Sequence, residues 1–163
     1  MPSGGDEQHR RVIVKNGGMV DIGAKKKTKR LARAMAFVCL NEEIAERIKN
    51  NDMPKGNVLE NARIAGILAA KNTAGLIPLC HNIGLEYVGI DFKFVKRGIA
   101  IESIISATGR TGVEMEAIIA STIAAITIYD MCKMFTKSIE IQDVCLIEKR
   151  GGKSGAYIRN GRR

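Results

Sequence analysis

Apolar positions in this chain recur in two rhythms, and the switches between them mark out the elements. Ala32, Ala34, Ala36 and Val38 stand at every second position within Leu31–Leu40, the period of a strand with one buried face. Asn41 then caps a short helix over 42–50, whose early Glu42 and Glu43 suit a helix N-terminus. The loop NDMPKG (51–56) leads into a second helix running through Asn72, with Leu59, Ala62, Ile64, Ile67 and Leu68 as its apolar stripe. Residues 73–82, which include Pro78, read as irregular. Alternation resumes over 84–95, Lys96-Arg97-Gly98 predicts a hairpin turn, and 99–107 returns as the partner strand. A long helix starts at Thr111 or Gly112 and ends near Lys133, and a last strand spans 138–148. Short strands are also expected at Arg11–Val14 and Met19–Ile22. Helices and strands mix without a regular βαβα alternation, which predicts an α+β domain with helices on one face of an antiparallel sheet. Residues 1–18 are polar and read as a flexible arm, 19–158 as a single domain and 159–163 as a polar tail.

The long helix carries its charge at its tips. Glu114 and Glu116 open it, Asp130 and Lys133 close it, and the body between them is apolar. Thr111-Gly-Val-Glu114 fits a capping box, in which Glu114 bonds back to the Thr111 amide. That device does not cover Glu116. Upstream, Thr108-Gly109-Arg110-Thr111-Gly112 supplies amides, hydroxyls and a cation at a helix N-terminus, where anions bind well. Lys133 suits a helix C-terminus and Asp130 does not, so a pair at i,i+3 is the simple expectation. Such a pair can also hold a lysine as a proton donor. Glu116 and Asp130 are 14 residues apart, about 21 Å along a helix. One small substrate can hardly touch both within one copy. Either the two tips serve different sites or different copies contribute to each site, and the latter is the prediction.

Composition narrows the chemistry. Aromatics are only 4% and Trp is absent, so the core must be aliphatic and base-stacking surfaces scarce. A net charge of +9 favours polyanionic partners, nucleoside triphosphates as well as nucleic acids. No run of like charge exceeds Lys25–Lys27, so a basic nucleic-acid arm is not evident. Cys39, Cys80, Cys132 and Cys145 have no CxxC spacing, and His9 and His81 are the histidines, which gives zinc little support. The N-terminus has no apolar stretch of a secretory signal, and the run Ala117–Tyr129 is shorter than the ~20 residues a bilayer needs. A cytoplasmic protein with reduced thiols is expected. RGGKSG (150–155) fails the P-loop spacing but leaves a Gly-rich anion nest with Lys149, Arg150 and Lys153.

Lys55-Gly56-Asn-Val-Leu, Ala62-Arg63-Ile-Ala-Gly, Leu76–His81, TGRTGVEMEA (108–117), TIYDMCK (127–133) and Gly151–Gly155 occur in order over nearly the whole chain. Together they closely resemble the cyclic pyranopterin monophosphate synthase family, the accessory protein C of molybdenum cofactor biosynthesis. The resemblance implies a ferredoxin-like α+β subunit, a hexamer built from dimers, and active sites at subunit interfaces. It implies conversion of a cyclised dihydro-GTP to cyclic pyranopterin monophosphate with loss of pyrophosphate. No metal or organic cofactor is firmly implied, although Mg²⁺ could accompany the triphosphate. By matching position, Asp130 corresponds to the family's active-site acid residue, and Lys55 and Lys133 to its acid–base lysines. Leu79, Cys80 and His81 match one substrate-contacting segment, and Met115 with Glu116 another. Arg30, Lys71, Glu114, Lys149 and Lys153 fall at further positions of a basic, polar pocket.

Three positions depart from the family pattern: Asn57 stands where Asp is usual, Asn82 where Pro is usual, and Ala156 where Asp is usual. The rival reading is a nucleic-acid-binding module of the same sheet-plus-helix type, which wants exposed strand aromatics. Tyr87, Phe92 and Phe94 are its candidates, and alternation puts them on different faces. A catalytically dead scaffold is a third reading, and the retained Asp130, Lys133 and Lys55 argue against it.

Overall fold

The computed structural model describes residues 17–160. The strand expected at Arg11–Val14 and most of the arm lie outside them, as do the last three residues of the tail. Five strands form one sheet in the order β2-β3-β1-β4-β5: β1 (Thr28–Cys39), β2 (Tyr87–Val95), β3 (Gly98–Gly109), β4 (Glu140–Arg150) and β5 (Tyr157–Ile158). Every neighbouring pair is antiparallel. The helices are α1 (Glu42–Lys49), α2 (Val58–Lys71), the single turn α3 (Thr73–Leu76) and α4 (Glu114–Cys132). Strand, helix, hairpin, helix, strand with β1 and β3 side by side is the split βαβ arrangement of ferredoxin-like domains.

The alternation in β1 decides which way the sheet faces. Ala32, Ala34, Ala36 and Val38 are fully buried under the helices, while Leu31, Arg33, Met35 and Phe37 are half-buried on the opposite face. That opposite face carries an ionic row in which Arg33 bonds Glu102 of β3 and Glu148 of β4. On β2, Ile90, Phe92 and Phe94 pack toward the core and Tyr87 is exposed on the other side. The aromatics that a single-strand nucleic-acid surface would need are therefore divided between the two faces.

α4 is the central element. It lies on β1, β3 and β4 with one side and against α2 with another, so its body is apolar nearly all round. By length and composition alone it is long enough to cross a membrane. Half of its apolar window is buried inside this fold. Small residues line its contact with α2. A side chain at Gly66 would come within 2.7 Å of the Ala120 carbonyl, so glycine sets the spacing of the two helices.

Several boundaries differ from the expected ones. Met19–Ile22 is not a strand, because no edge is paired with it. β4 runs on to Arg150, and β5 adds to its edge, with Arg159 donating its backbone N–H to the Ile147 carbonyl. Residues 73–76 make a turn of helix where irregular chain was expected. α4 begins at Glu114, with Val113 at its N-cap and no side-chain cap, so the Thr111–Glu114 capping box is not formed. Glu114 instead pairs with Lys149 on β4. The Asn41 cap is present, its side chain accepting from the Ile44 amide at 2.9 Å.

Candidate active site

Three groups of side chains stand out, two at the start of α4 and one at its end. The first group lines a cavity of about 930 Å³ where the ends of β1 and β4 meet the Thr108–Glu114 turn. Lys25, Lys26, Arg30, Arg110, Lys149, Arg150 and Lys153 face it, with Glu114 as its carboxylate. Arg30 is buried, and its Nε donates to the Gly109 carbonyl at 3.2 Å, which fixes the guanidinium from behind. Lys149 Nζ lies 3.0 Å from Glu114 Oε1. Gly151 closes the floor. Its φ of +87° is a left-handed conformation, and a side chain there would strike the Lys29 carbonyl. That tight turn sets Gly152 beside the Arg30 guanidinium, 3.5 Å from where a side chain would start. Seven cations against one carboxylate suit a polyanion with several negative charges.

A second cavity, of about 380 Å³, adjoins the first and shares Thr111, Gly112 and Glu114 with it. Leu79, Cys80, His81, Met115 and Glu116 line it. Glu116 is only 3% exposed. Its Oε1 is 3.9 Å from the Cys80 thiol, and its Oε2 has no hydrogen-bond partner among the described residues. Burial pushes the Glu116 carboxyl above the ordinary carboxylate range, with the Glu114 charge adding to it, against bonds from its own amide and from Cys80. Burial also raises the Cys80 thiol, and the neighbouring Glu116 carboxylate raises it further. His81 Nε2 donates to the Val20 carbonyl at 2.7 Å.

The third group sits at the far end of α4. Asp130 accepts from Lys55 Nζ at Oδ2 (2.8 Å) and from Lys133 Nζ at Oδ1 (2.7 Å), and Lys55 also donates to the Asp130 backbone carbonyl at 3.0 Å. Hydrogen bonds from Lys133 and then Lys55 hold the Asp130 carboxyl down to about 2. The same bond raises Lys133 above its ordinary value. Behind them the Cys132 thiol is buried and pushed up to about 11 by desolvation, against the opposing charge of Lys55. The Lys55 loop is shaped by the buried Met53, by Gly56 at φ +88° and by Asn57. Asn57 caps α2 by accepting from the Glu60 amide at 3.0 Å, a role Asn fills as well as Asp. All three members of this group are about half exposed.

The residues expected from sequence thus fall into separate places. Leu79, Cys80, His81, Met115 and Glu116 share one cavity, and Arg30, Glu114, Lys149 and Lys153 the cavity beside it. Lys55, Asp130 and Lys133 meet at the opposite end of the helix. Lys71 lines neither cavity and is exposed in the last turn of α2. Lys25 and Lys26 were absent from the expected site, and Arg150 was expected only as part of the Gly-rich anion nest. Their signal was the run Lys25–Lys27 just ahead of β1, which the strand delivers to the same sheet end as Arg150. Among the described residues no group of three or more His, Cys, Asp or Glu is arranged to hold a metal ion.

Comparison with known proteins agrees with this arrangement of motifs. Residues 19–152 match the model of the MoaC family. The chain is 50% identical over 139 residues to a cyclic pyranopterin monophosphate synthase of Novosphingobium aromaticivorans, covering 85% of this chain and 88% of that one. It is 49% identical over 142 residues to a protein of the same name from Desulfitobacterium hafniense, covering 86% and 87%. A third, from Peptoclostridium acidaminophilum, is 47% identical over 141 residues, covering 86% and 90%.

Proposed function

This chain belongs to the MoaC family, and from that membership we propose that it is a lyase of molybdenum cofactor biosynthesis. It converts a cyclised dihydro-GTP intermediate to cyclic pyranopterin monophosphate with release of pyrophosphate. The observation that carries this reading is the separation of two complementary sites on one helix. A cation-lined cavity fit for a triphosphate opens at the N-terminal end of α4, and a Lys–Asp–Lys group fit for proton transfer stands at the other end.

In this reading the cationic cavity holds the triphosphate, with Arg30, Lys149 and Lys153 neutralising charge that develops as pyrophosphate leaves. Lys149 must turn from Glu114 toward the phosphates, a small change for two partly exposed groups. The adjoining cavity, walled by Leu79–His81 and Met115–Glu116, takes the ring system. Asp130 remains ionised and keeps Lys133 as an ammonium, a proton donor for ring opening, while Lys55 approaches the same carboxylate from another element. Lys71, on neither cavity wall, contributes positive field at the protein surface. No resident metal or organic cofactor enters this scheme, and any Mg²⁺ arrives with the triphosphate.

Glu116 and Asp130, near the two ends of α4, are about 21 Å apart by helical rise. A single small substrate therefore needs the Lys–Asp–Lys group of one copy and the cavities of another. We accordingly propose a homo-oligomer of cytoplasmic subunits, a hexamer assembled from dimers, with shared sites. Incubation with the radical enzyme's cyclised product should release pyrophosphate. Lys55→Ala and Lys133→Ala should abolish release while leaving the assembly intact, and full activity in either would overturn the assignment.

A further inference from the structure

The segment ahead of β1 lines the larger cavity through Ala24, Lys25 and Lys26 and is tied to His81 in the wall of the smaller one. Among the described residues, Gly17–Lys27 makes one side-chain hydrogen bond to the rest of the fold, the bond from His81 Nε2 to the Val20 carbonyl at 2.7 Å. A carbonyl only accepts, so Nε2 carries the proton. Beyond Val20 the chain closes a small turn. The Gly23 amide donates to Asp21 Oδ1 at 2.8 Å, and the Lys25 amide donates to the Ile22 carbonyl at 3.0 Å. The far end is clipped where Thr28 Oγ1 donates to the Gly151 carbonyl at 2.8 Å. Lys25 and Lys26 lie between these two ties, in the wall of the larger cavity. Their backbone is exposed and is otherwise unsupported by buried apolar side chains.

We infer that His81 is a positioning residue: it latches residues 20–28 as a strap and so places Lys25 and Lys26 against the cationic cavity. The latch itself stands on the bond to Val20. What the strap does there rests on the phosphate reading of that cavity proposed above. Because His81 also lines the smaller cavity, the latch joins the two compartments. A ligand in the smaller one sits beside the tie that holds cations in the larger.

The test is limited trypsin cleavage of the full chain, followed by mass spectrometry at Lys25, Lys26 and Lys27, in wild type, His81→Ala and His81→Gln. A Gln amide can donate to the Val20 carbonyl but supplies no imidazole. Losing one hydrogen bond should speed cleavage in His81→Ala about fivefold, with His81→Gln near wild type. Equal rates in all three proteins, or equally fast cleavage in both variants, would overturn the latch. So would a parallel rise at Lys96 and Arg97 in the distant hairpin turn, which would mean general loosening. Calorimetric titration with inorganic pyrophosphate is the second arm. His81→Ala should bind it about fivefold more weakly, the loss expected of one hydrogen bond, and the loss should not add to that of a Lys25→Ala, Lys26→Ala double variant. Additive losses overturn the positioning role. If the wild type binds no pyrophosphate, the phosphate reading fails, and the cleavage comparison still decides the latch.

Discussion

Lys55 holds Asp130 by both its side chain and its backbone, at 2.8 Å and 3.0 Å, from a loop 75 residues earlier in the chain. The double contact sets the direction of the carboxylate and leaves Oδ1 for Lys133. Asp130 is thus ionised well above pH 2 and orients the side chains of Lys55 and Lys133. Its depressed value, about 2 against 3.8, means it stabilises the fold above pH 3.8, and this contribution is lost as pH falls toward 2. Lys133 is raised, so its contribution is complete below its ordinary value of 10.5 and is lost as pH rises through the higher folded value. Asp130→Asn should therefore flatten the acid limb of a thermal-midpoint profile below pH 4 and leave the midpoint near pH 7 little changed, since the pair is exposed. Activity should fall roughly 100-fold or more, the range for loss of a general acid–base group. An unchanged acid limb would show that the pair does not persist in solution.

Glu116 behaves in the opposite sense. Its carboxyl is raised by burial and has an unpartnered oxygen. A raised carboxyl stabilises the fold fully below the unfolded value of 4.5 and loses that contribution as pH rises through the folded value. Glu116→Gln removes the ionisation without changing shape. It should raise the thermal midpoint at pH 7 and leave it unchanged near pH 4, while turnover drops. Stability gained at the expense of activity is the mark of a group kept for function. A midpoint that falls equally at both pH values would make Glu116 a structural residue instead.

The contrast between Asp130 and Glu116 explains how much was legible in advance. Period-two alanines in β1, the Asn41 cap and the Lys96–Gly98 turn are local signals, and these three are present in the structure. The Asp130–Lys133 pair is likewise one helical turn apart. The capping box at Thr111 obeyed every local rule and still did not form, because Lys149, 35 residues away, offers Glu114 a full charge. The Lys55–Asp130 contact and the strap over the cavity are also long-range, and no spacing in the sequence encodes them. Lys71, exposed in the last turn of α2, lines neither cavity, and no local signal in the sequence says so.

Gly66 should be intolerant of enlargement. The Ala120 carbonyl is backbone and cannot step aside, so Gly66→Ala must push α2 off α4. A loss of roughly 1–3 kcal/mol is expected from overpacking of this kind, read as a lower denaturation midpoint in urea. Displacing α2 would also carry the Lys55 loop away from Asp130, so activity should fall further than stability alone explains. A neutral effect on both would mean the helices have slack that their close contact does not suggest.

The sharing of sites between copies can be tested by mixing two inactive proteins. Lys133→Ala removes the proton-donor end and Arg30→Ala the cation-cavity end, so each alone should be inactive. If one active site needs both ends from different copies, a mixed pair rebuilds one intact site and one doubly damaged site. Random exchange within two-fold pairs makes half of them mixed, so about a quarter of wild-type pyrophosphate release should return. If both ends served one substrate within a single chain, mixing would restore nothing, because every chain would keep its own lesion. The measurement requires subunit exchange, which a tagged and an untagged copy eluting together would verify. Exchange without recovery would place the whole reaction on one copy and would leave the separation of about 21 Å between Glu116 and Asp130 without a function.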